Sequence, residues 1–267
     1  MKKLKRVFLL LTLLVITMQS TAFGADGLSI ILNRRGNIRP KTAVLMYHMV
    51  SEVPEYINTY CITPQALEQD LIYFKNNGYI FATVGELDYV RRMNPDKNIA
   101  VLTFDDGYES DYKYVLPLLT KYDAKATFFV FASMTGKPFY MTEAQVKELA
   151  QSGRAEIGNH SYELHEKPLP EIRKLYSDYS KMQSIMNDFN TNKAVLEKMT
   201  GVSVTSLSYP NGIYTQTIDG MMKNAGICTV SVSTEEHAYN PYFRAGIIGR
   251  YNRSDKRTAQ DIVNILR

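Results

Sequence analysis

From residue 42 onward, short apolar runs alternate with amphipathic stretches at fairly even spacing. The runs Ala43–Tyr47, Tyr79–Thr83, Ile99–Phe104, Ala126–Phe131, Ala155–Gly158, Val204–Tyr209, Ile227–Val232 and Ala245–Ile248 are too short for buried helices. Most are rich in β-branched or aromatic residues and close on turn residues, a pattern that predicts buried strands. Between them, Pro64–Asn77 carries Leu67, Leu71 and Phe74 at helical spacing, with Thr63 as N-cap, Pro64 in the first position and Gly78 as the stop. Further helices are expected over Gly85–Arg92, Asp111–Tyr122, Thr215–Asn224 and Thr258–Leu266, and from Thr142, with Gln145 completing a capping box, to Ser152. Pro170–Thr200 reads as one long helix with a weak point near Asn190–Asn192, and Met49–Tyr60 reads as a loop. Seven or eight strand–helix alternations predict an α/β fold, a distorted (β/α)7–8 barrel of parallel strands rather than an open sheet.

Met1–Gly24 does not follow this pattern. Lys2, Lys3, Lys5 and Arg6 precede an apolar stretch, Val7–Met18, that is too short for a comfortable membrane span. Ala22 and Gly24 then place small residues at the spacing of a cleavage site, which predicts a signal peptide over 1–24 and a protein that is secreted or at the cell surface. Left uncleaved, the same segment would be a membrane anchor. Residues 25–41 read as a linker, and 42–267 as a single domain. The leader holds four of the 31 Lys and Arg and none of the 27 Asp and Glu, so the remainder is charge-balanced. The pI near 8.8 therefore reflects mainly the leader, and no basic patch argues for nucleic acid. Cys61 and Cys228 are the only cysteines; an exported chain could pair them, but two cysteines make no disulfide framework, and two buried thiols are the plainer expectation.

Polar residues gather where the strands end. Asp105, Asp106 and Gly107 follow the run at Ile99, and two adjacent carboxylates are costly unless a cation compensates them. His160 and His165 follow the run at Ala155. Five positions apart they would lie about 140° apart around a helix, so they read as loop ligands. An Asp and two His suit zinc and leave a position open for water. His48, the segment Tyr209–Gly212 and Arg250 also follow expected strands, and in a barrel all these ends share one face. Asp-Asp-Gly alone is often a plain turn; the joint occurrence is what points to a site. The chemistry implied is metal-assisted hydrolysis. Asp106, His160 and His165 would hold one divalent ion, most simply Zn2+, with Co2+ or Ni2+ as substitutes. Asp105 would be the general base and His48 the general acid, and the amide after Tyr209-Pro210 would donate to the oxyanion. His237 reads as a surface residue.

These residues also carry a family resemblance. Thr103–Gly107, T-F-D-D-G, resembles the first motif of the polysaccharide deacetylases, the NodB-homology or family 4 carbohydrate esterases. The resemblance implies Asp105 as base and Asp106 as metal ligand. His160–His165, H-S-Y-E-L-H, resembles the second motif and implies both histidines as ligands. Its one extra residue over the common His-x3-His resembles the branch acting on poly-N-acetylglucosamine and related exopolysaccharides. Tyr47-His48 matches the N-terminal Tyr-His motif of that branch, where the His is the proposed acid. Leu207–Gly212, L-S-Y-P-N-G, resembles the third motif, implying Tyr209, Pro210 and Asn211 as substrate- and oxyanion-contacting residues. The resemblance covers residues 42–250. Two features depart from the pattern: no Arg lies just before Tyr209, which leaves Arg250 as the candidate for tuning the base, and no Leu-His motif lies near the C-terminus, which places more weight on His48.

The expectation is an exported, metal-dependent N-deacetylase of GlcNAc or MurNAc units in a cell-wall or exopolysaccharide, releasing acetate. Tyr108, Tyr162, Tyr209, Tyr214 and Tyr239 are candidates for stacking on sugar rings. An O-acetyl esterase would use the same machinery, and a glycan-binding module without turnover is the rival of another class. A glycosidase fits poorly, because its carboxylates must flank a bond at roughly 5–9 Å separation.

Overall fold

The strands form because their sequences satisfy two buried faces at once. Every residue of Ile99–Asp106 is buried, as is every residue of Ala126–Val130, the pattern of parallel strands covered on both sides. The computed structural model describes residues 40–240 and 246–266, and from Pro40 onward the chain is one compact unit. The expected signal peptide and nearly all of the expected linker lie outside the described residues.

The strands are β1 (Thr42–Tyr47), β2 (Met49–Val50), β3 (Cys61–Ile62), β4 (Ile80–Ala82), β5 (Ile99–Asp106), β6 (Ala126–Val130), β7 (Ala155–Asn159), β8 (Ser206–Ser208), β9 (Val230–Val232) and β10 (Tyr251–Asn252). The main sheet runs β10-β1-β5-β6-β7-β8-β9, and all of its pairings are parallel. β4 pairs with the first half of β5, ahead of the β6 pairing. The two edges of this curled sheet are spanned by one segment: Ile248 bridges to Val232 of β9, and Tyr251 pairs with Leu45 of β1. The expected distorted barrel of parallel strands is thus observed. β2 and β3 form a small separate pair, so the expected loop at 49–60 begins as a short strand.

Register sorts the side chains. Ala43, Leu45 and Tyr47 lie opposite Ala100, Leu102 and Phe104 and pack outward, Tyr47 stacking on Phe104 and Phe104 on Phe128. Val44, Val101 and Phe129 point to the other face, and Asp105 pairs in register with Phe129. The outer helices are α1 (Pro64–Asn76), α2 (Leu87–Met93), α3 (Leu116–Tyr122), α4 (Glu143–Gln151), α5 (Leu169–Ser177), α6 (Met182–Thr200), α7 (Gln216–Asn224) and α8 (Ala259–Ile265). Thr63 and Thr142 cap α1 and α4 as expected, the latter in a full capping box.

Three expectations are corrected. The single long helix is two: α5 ends at Ser177, Asp178 is extended and caps a 3₁₀ turn with its carboxylate, and α6 then runs unbroken through Asn190–Asn192. Asp178 prefers to bond nearby amides rather than continue the helix, the usual behaviour of short polar side chains. The expected helix from Asp111 opens as a π-helical turn, Asp111–Val115, before α3. The expected last strand, 245–248, is partly outside the described residues and appears only as the Ile248 bridge; the pairing with β1 comes later, at Tyr251. Cys61 and Cys228 are both buried and unpaired. No helix among the described residues is long and apolar enough to cross a membrane.

Candidate active site

At the carboxyl end of β5 the backbone leaves the sheet through two consecutive left-handed residues, Asp106 (φ 80°) and Gly107 (φ 75°). Gly107 is required here: a Cβ would sit 3.0 Å from Val130 in a conformation that L residues resist. Asp106 adopts it regardless, and such strain is characteristic of functional positions. The turn sends the two carboxylates to different partners.

Asp105 is clasped by Arg250. The guanidinium donates from Nη1 to Oδ1 at 2.7 Å and from Nη2 to Oδ2 at 2.8 Å. Its other donors reach Thr103 Oγ1 at 2.9 Å, Ser208 Oγ at 2.9 Å and the Ser233 carbonyl at 3.0 Å. Arg250 is wholly buried, with its guanidinium over the Phe129 ring. All five N–H donors are therefore used, as a buried guanidinium requires. Burial alone would raise the Asp105 carboxyl, but the Arg250 charge, with His160, overcomes it and holds the group well below the usual carboxylate range.

Asp106 faces the histidines. Its Oδ1 lies 3.4 Å from His160 Nε2 and 3.3 Å from His165 Nε2, and this buried oxygen has no hydrogen-bond donor. His160 Nδ1 lies 3.0 Å from the Ser208 carbonyl. That contact assigns a proton to Nδ1 and turns Nε2 toward Asp106. His165 sits in a 3₁₀ turn, Leu164–Glu166, and stacks on Phe131 at 5.2 Å. One donor atom from each of Asp106, His160 and His165 falls within 4.8 Å of the others. An orphaned carboxylate oxygen between two imidazole nitrogens is the donor set a zinc-like cation satisfies. The residues fit the expected metal.

The loop carrying the histidines is anchored from α6. Asn192 accepts from the Ala132 amide at 2.7 Å and donates to the Val130 carbonyl and to Asn159 Oδ1, each at 2.8 Å. Asp188 accepts the amides of Tyr162 and Glu163 at 2.8 and 2.9 Å.

His48 follows β1 at the same mouth of the barrel. Its Nδ1 is buried without a partner, and its ring meets Tyr60 edge-on. Burial pushes its imidazole below the usual value, against the pull of Asp105 and Asp106. In the Tyr209–Gly212 turn, the Tyr209 amide is spent on the Val232 carbonyl at 3.3 Å and Pro210 has none, which leaves the Asn211 amide as a donor. Tyr209 itself is fully buried and donates to Asp219 at 2.9 Å, so its ring is removed from the candidates for sugar stacking. His237 packs beside Gly249 with Nε2 3.2 Å from the Ile247 carbonyl.

The sequence pattern thus located Asp105, Asp106, His160, His165, His48 and Arg250, and the structure brings them to one face. It did not single out Thr103, Ser208, Asn159, Asn192, Asp188 or Phe131. Asn192 had a visible signal, a polar residue on the stripe Ile185, Phe189, Leu196 that α6 turns to the core.

Comparison with known proteins adds an independent line. A family model described as "Polysaccharide deacetylase" matches residues 92–230. A putative polysaccharide deacetylase, YxkH, of Bacillus subtilis is 32% identical over 178 residues, 66% of this chain and 58% of that protein. A poly-beta-1,6-N-acetyl-D-glucosamine N-deacetylase of Staphylococcus aureus is 25% identical over 69% of this chain and 65% of its own. The chain therefore spans less than two thirds of these relatives' length. The fold resembles that of IcaB from Ammonifex degensii, with a TM-score of 0.74, 24% identity, and 84% and 96% of the two chains covered. It also resembles a de-N-acetylase from Aggregatibacter actinomycetemcomitans, with a TM-score of 0.72, 21% identity, and 84% and 99% covered. The motifs at the strand ends, the parallel barrel and the match over 92–230 agree: this chain belongs to the polysaccharide deacetylase family.

Proposed function

We propose that the chain is an exported, metal-dependent N-deacetylase of an N-acetylglucosamine-containing polysaccharide. The observation that carries this reading is the separation of two adjacent carboxylates into two different surroundings. Asp105 is ionised and held by Arg250, while Asp106 turns a bare oxygen to two imidazole nitrogens. Asp106, His160 and His165 would hold one divalent ion, most simply Zn2+, and an ion there would supply Lewis acidity toward a carbonyl and a water.

The chain's own groups account for the proton traffic. As water adds to the acetyl carbon, Asp105 takes the proton it loses. The Asn211 amide donates to the carbonyl oxygen as charge builds on it. The C–N bond then breaks, with the amine nitrogen taking a proton from His48 and the acyl group leaving as acetate. To give this proton His48 must carry it as the imidazolium, a form that burial disfavours and the Asp105 and Asp106 carboxylates favour. The name of the Staphylococcus aureus relative supports poly-N-acetylglucosamine as the polymer, and the apolar leader over 7–18 supports export to the cell surface or beyond.

The test is acetate release from N-acetylglucosamine oligomers by metal-stripped protein, alone and with one equivalent of Zn2+, Co2+ or Ni2+. Release that appears only with metal, and is lost in His160→Ala, supports the reading. Release from acetyl esters but not from the amide would replace it with an O-deacetylase, and one bound metal without any turnover would replace it with a glycan-binding module.

A further inference from the structure

A second buried ion pair joins α1 to the segment that closes the barrel. Arg253 donates from Nε to Asp70 Oδ2 at 2.7 Å and from Nη2 to Oδ1 at 3.3 Å, and its Nη1 reaches the Ser254 carbonyl. The Ala259 amide, at the start of α8, donates to Asp70 Oδ1 at 3.1 Å. The Tyr47 hydroxyl donates to Oδ2 at 3.2 Å. Asp70, Arg253 and Tyr47 are all buried, and four donors converge on the one carboxylate, as a pair removed from water requires. Burial raises the Tyr47 phenol well above its usual value, and the Asp70 charge raises it further, so the hydroxyl stays a donor.

What this pair holds is the end of β1. The Arg253 amide donates to the Met46 carbonyl at 2.9 Å, and the next residue, Tyr47, is held by its hydroxyl on Asp70. The Tyr47 ring stacks on Phe104 at 4.9 Å, and the two residues are partners in the parallel register of β1 and β5. His48 follows Tyr47, and Asp105 follows Phe104. The two groups assigned to proton transfer therefore each lie one residue beyond this stacked pair.

His48 needs such support. Its Nδ1 is buried with no hydrogen-bond partner, so no bond to that nitrogen sets the ring, and its place depends on backbone and packing. The ring packs edge-on against Tyr60 at 4.8 Å. The Tyr60 carbonyl accepts the Met49 amide at 3.0 Å, and the neighbouring Thr59 carbonyl accepts Asn252 Nδ2, also at 3.0 Å. The closing segment 250–253 thus reaches the site three times. Arg250 clasps Asp105, Asn252 holds the loop that carries Tyr60, and Arg253 holds Met46 and the Asp70 carboxylate that binds Tyr47. A group that transfers a proton must be held within hydrogen-bond reach of the atom that receives it, so support of this kind bears on rate.

We propose that Asp70, held by Arg253, is a positioning residue for the reaction, fixing the general acid His48 through the Tyr47 hydroxyl. It rests on the reading of His48 as the acid and adds to it the groups that aim the imidazole. The two arginines of the closing segment then have parallel tasks: Arg250 holds the base directly, and Arg253 holds the acid through Asp70 and Tyr47.

The test uses Tyr47→Phe, which keeps the ring on Phe104 and removes only the hydroxyl, and Asp70→Asn, each alone and combined with His48→Ala. The zinc-loaded proteins are assayed on an N-acetylglucosamine pentamer, whose amine must be protonated as it leaves, and on 4-nitrophenyl acetate, whose phenolate leaves without a proton. His48→Ala is expected to lower kcat for the pentamer roughly a hundredfold or more, the scale of a general acid. Tyr47→Phe and Asp70→Asn are each expected to lower it roughly tenfold with KM unchanged, to leave the aryl ester unchanged, and to cost nothing further in the His48→Ala background. A purely structural role would instead lower both substrates together and add to the His48→Ala loss; either result, or no loss on the pentamer, would overturn the positioning role. If the wild type turns over neither substrate, or His48→Ala loses nothing on the pentamer, the reading of His48 as acid fails on its own. The 13Cε1–H signal of His48, identified by its loss in His48→Ala, then decides the positioning. A signal shifted or broadened in Tyr47→Phe while that of His237 stays in place supports it; an unmoved His48 signal overturns it.

Discussion

Replacing Arg250 with Met keeps a long unbranched side chain in a wholly buried position and removes the guanidinium that Asp105 depends on. Asp105 would lose bonds of 2.7 and 2.8 Å, and Thr103, Ser208 and the Ser233 carbonyl would each lose a donor. Removing one member of a buried ion pair costs about 3–5 kcal/mol, because the other charge is left without a partner. Against a typical total of roughly 5–15 kcal/mol, that is a large fraction of the stability. Arg250→Lys, with three donors and no planar fork, should fall between wild type and Arg250→Met. The assay is urea unfolding of the metal-free protein, with the double variant Asp105→Leu/Arg250→Met completing a cycle. Once both charges are gone the penalty should shrink, giving a coupling of about 2–3 kcal/mol. A loss below about 1 kcal/mol for Arg250→Met, or strictly additive single effects, would refute the claim that this pair is the electrostatic centre of the site.

Asp111 is fully buried with neither oxygen partnered, and burial, then Asp106 and Asp105, raise its pKa well above the usual value. A raised folded-state pKa means that its contribution is full below about pH 4 and lost as pH rises toward the folded value. Asp111→Asn should therefore match wild type near pH 4 and become more stable by about 1.4 kcal/mol for each further pH unit until that value is reached, as read by denaturant titrations across pH. A constant difference at all pH would show that the carboxyl titrates in the fold as it does in the unfolded chain, and would refute the shift. Asn192→Leu should cost about 1–3 kcal/mol, because it strands the Ala132 amide and takes one donor each from the Val130 carbonyl and Asn159 Oδ1, which keep the His160 and Ser161 amides. Hydrogen exchange should then rise first in the loop bearing His160 and His165; unchanged exchange there would mean that Asn192 serves α6 alone.

The fold was legible where hydrophobic period and turn chemistry agree. Ile99–Phe104 ending in Asp-Asp-Gly needs no tertiary context to read as a buried strand running into a turn. The capping pairs at Thr63 and Thr142 were legible because their bonds lie within one turn of the helix. What the sequence hid was non-local. Arg250 was a candidate, but its five-donor clasp was not legible: it lies 145 positions from Asp105, and the closing segment between Ile248 and Tyr251 carries it into the barrel. Ser208 reads as an ordinary strand residue, yet its carbonyl fixes the His160 tautomer and its hydroxyl binds Arg250. Tyr209 shows the opposite failure: an aromatic in a motif suggests a sugar contact, but the alternation of strand faces turns it to the core, onto Asp219. The break between α5 and α6 was missed because Asp178 is compatible with a helix by composition and leaves it only to cap the next turn.

The central claim is that the two neighbouring carboxylates divide the work, Asp106 holding metal and Asp105 moving a proton. Asp105→Asn tests it most directly, with bound zinc and acetate release measured on the same sample. The account predicts one zinc per chain, as in wild type, with acetate release lowered at least a hundredfold, the scale of removing a positioned general base. Loss of the metal in Asp105→Asn, or release that persists near the wild-type rate, would contradict it.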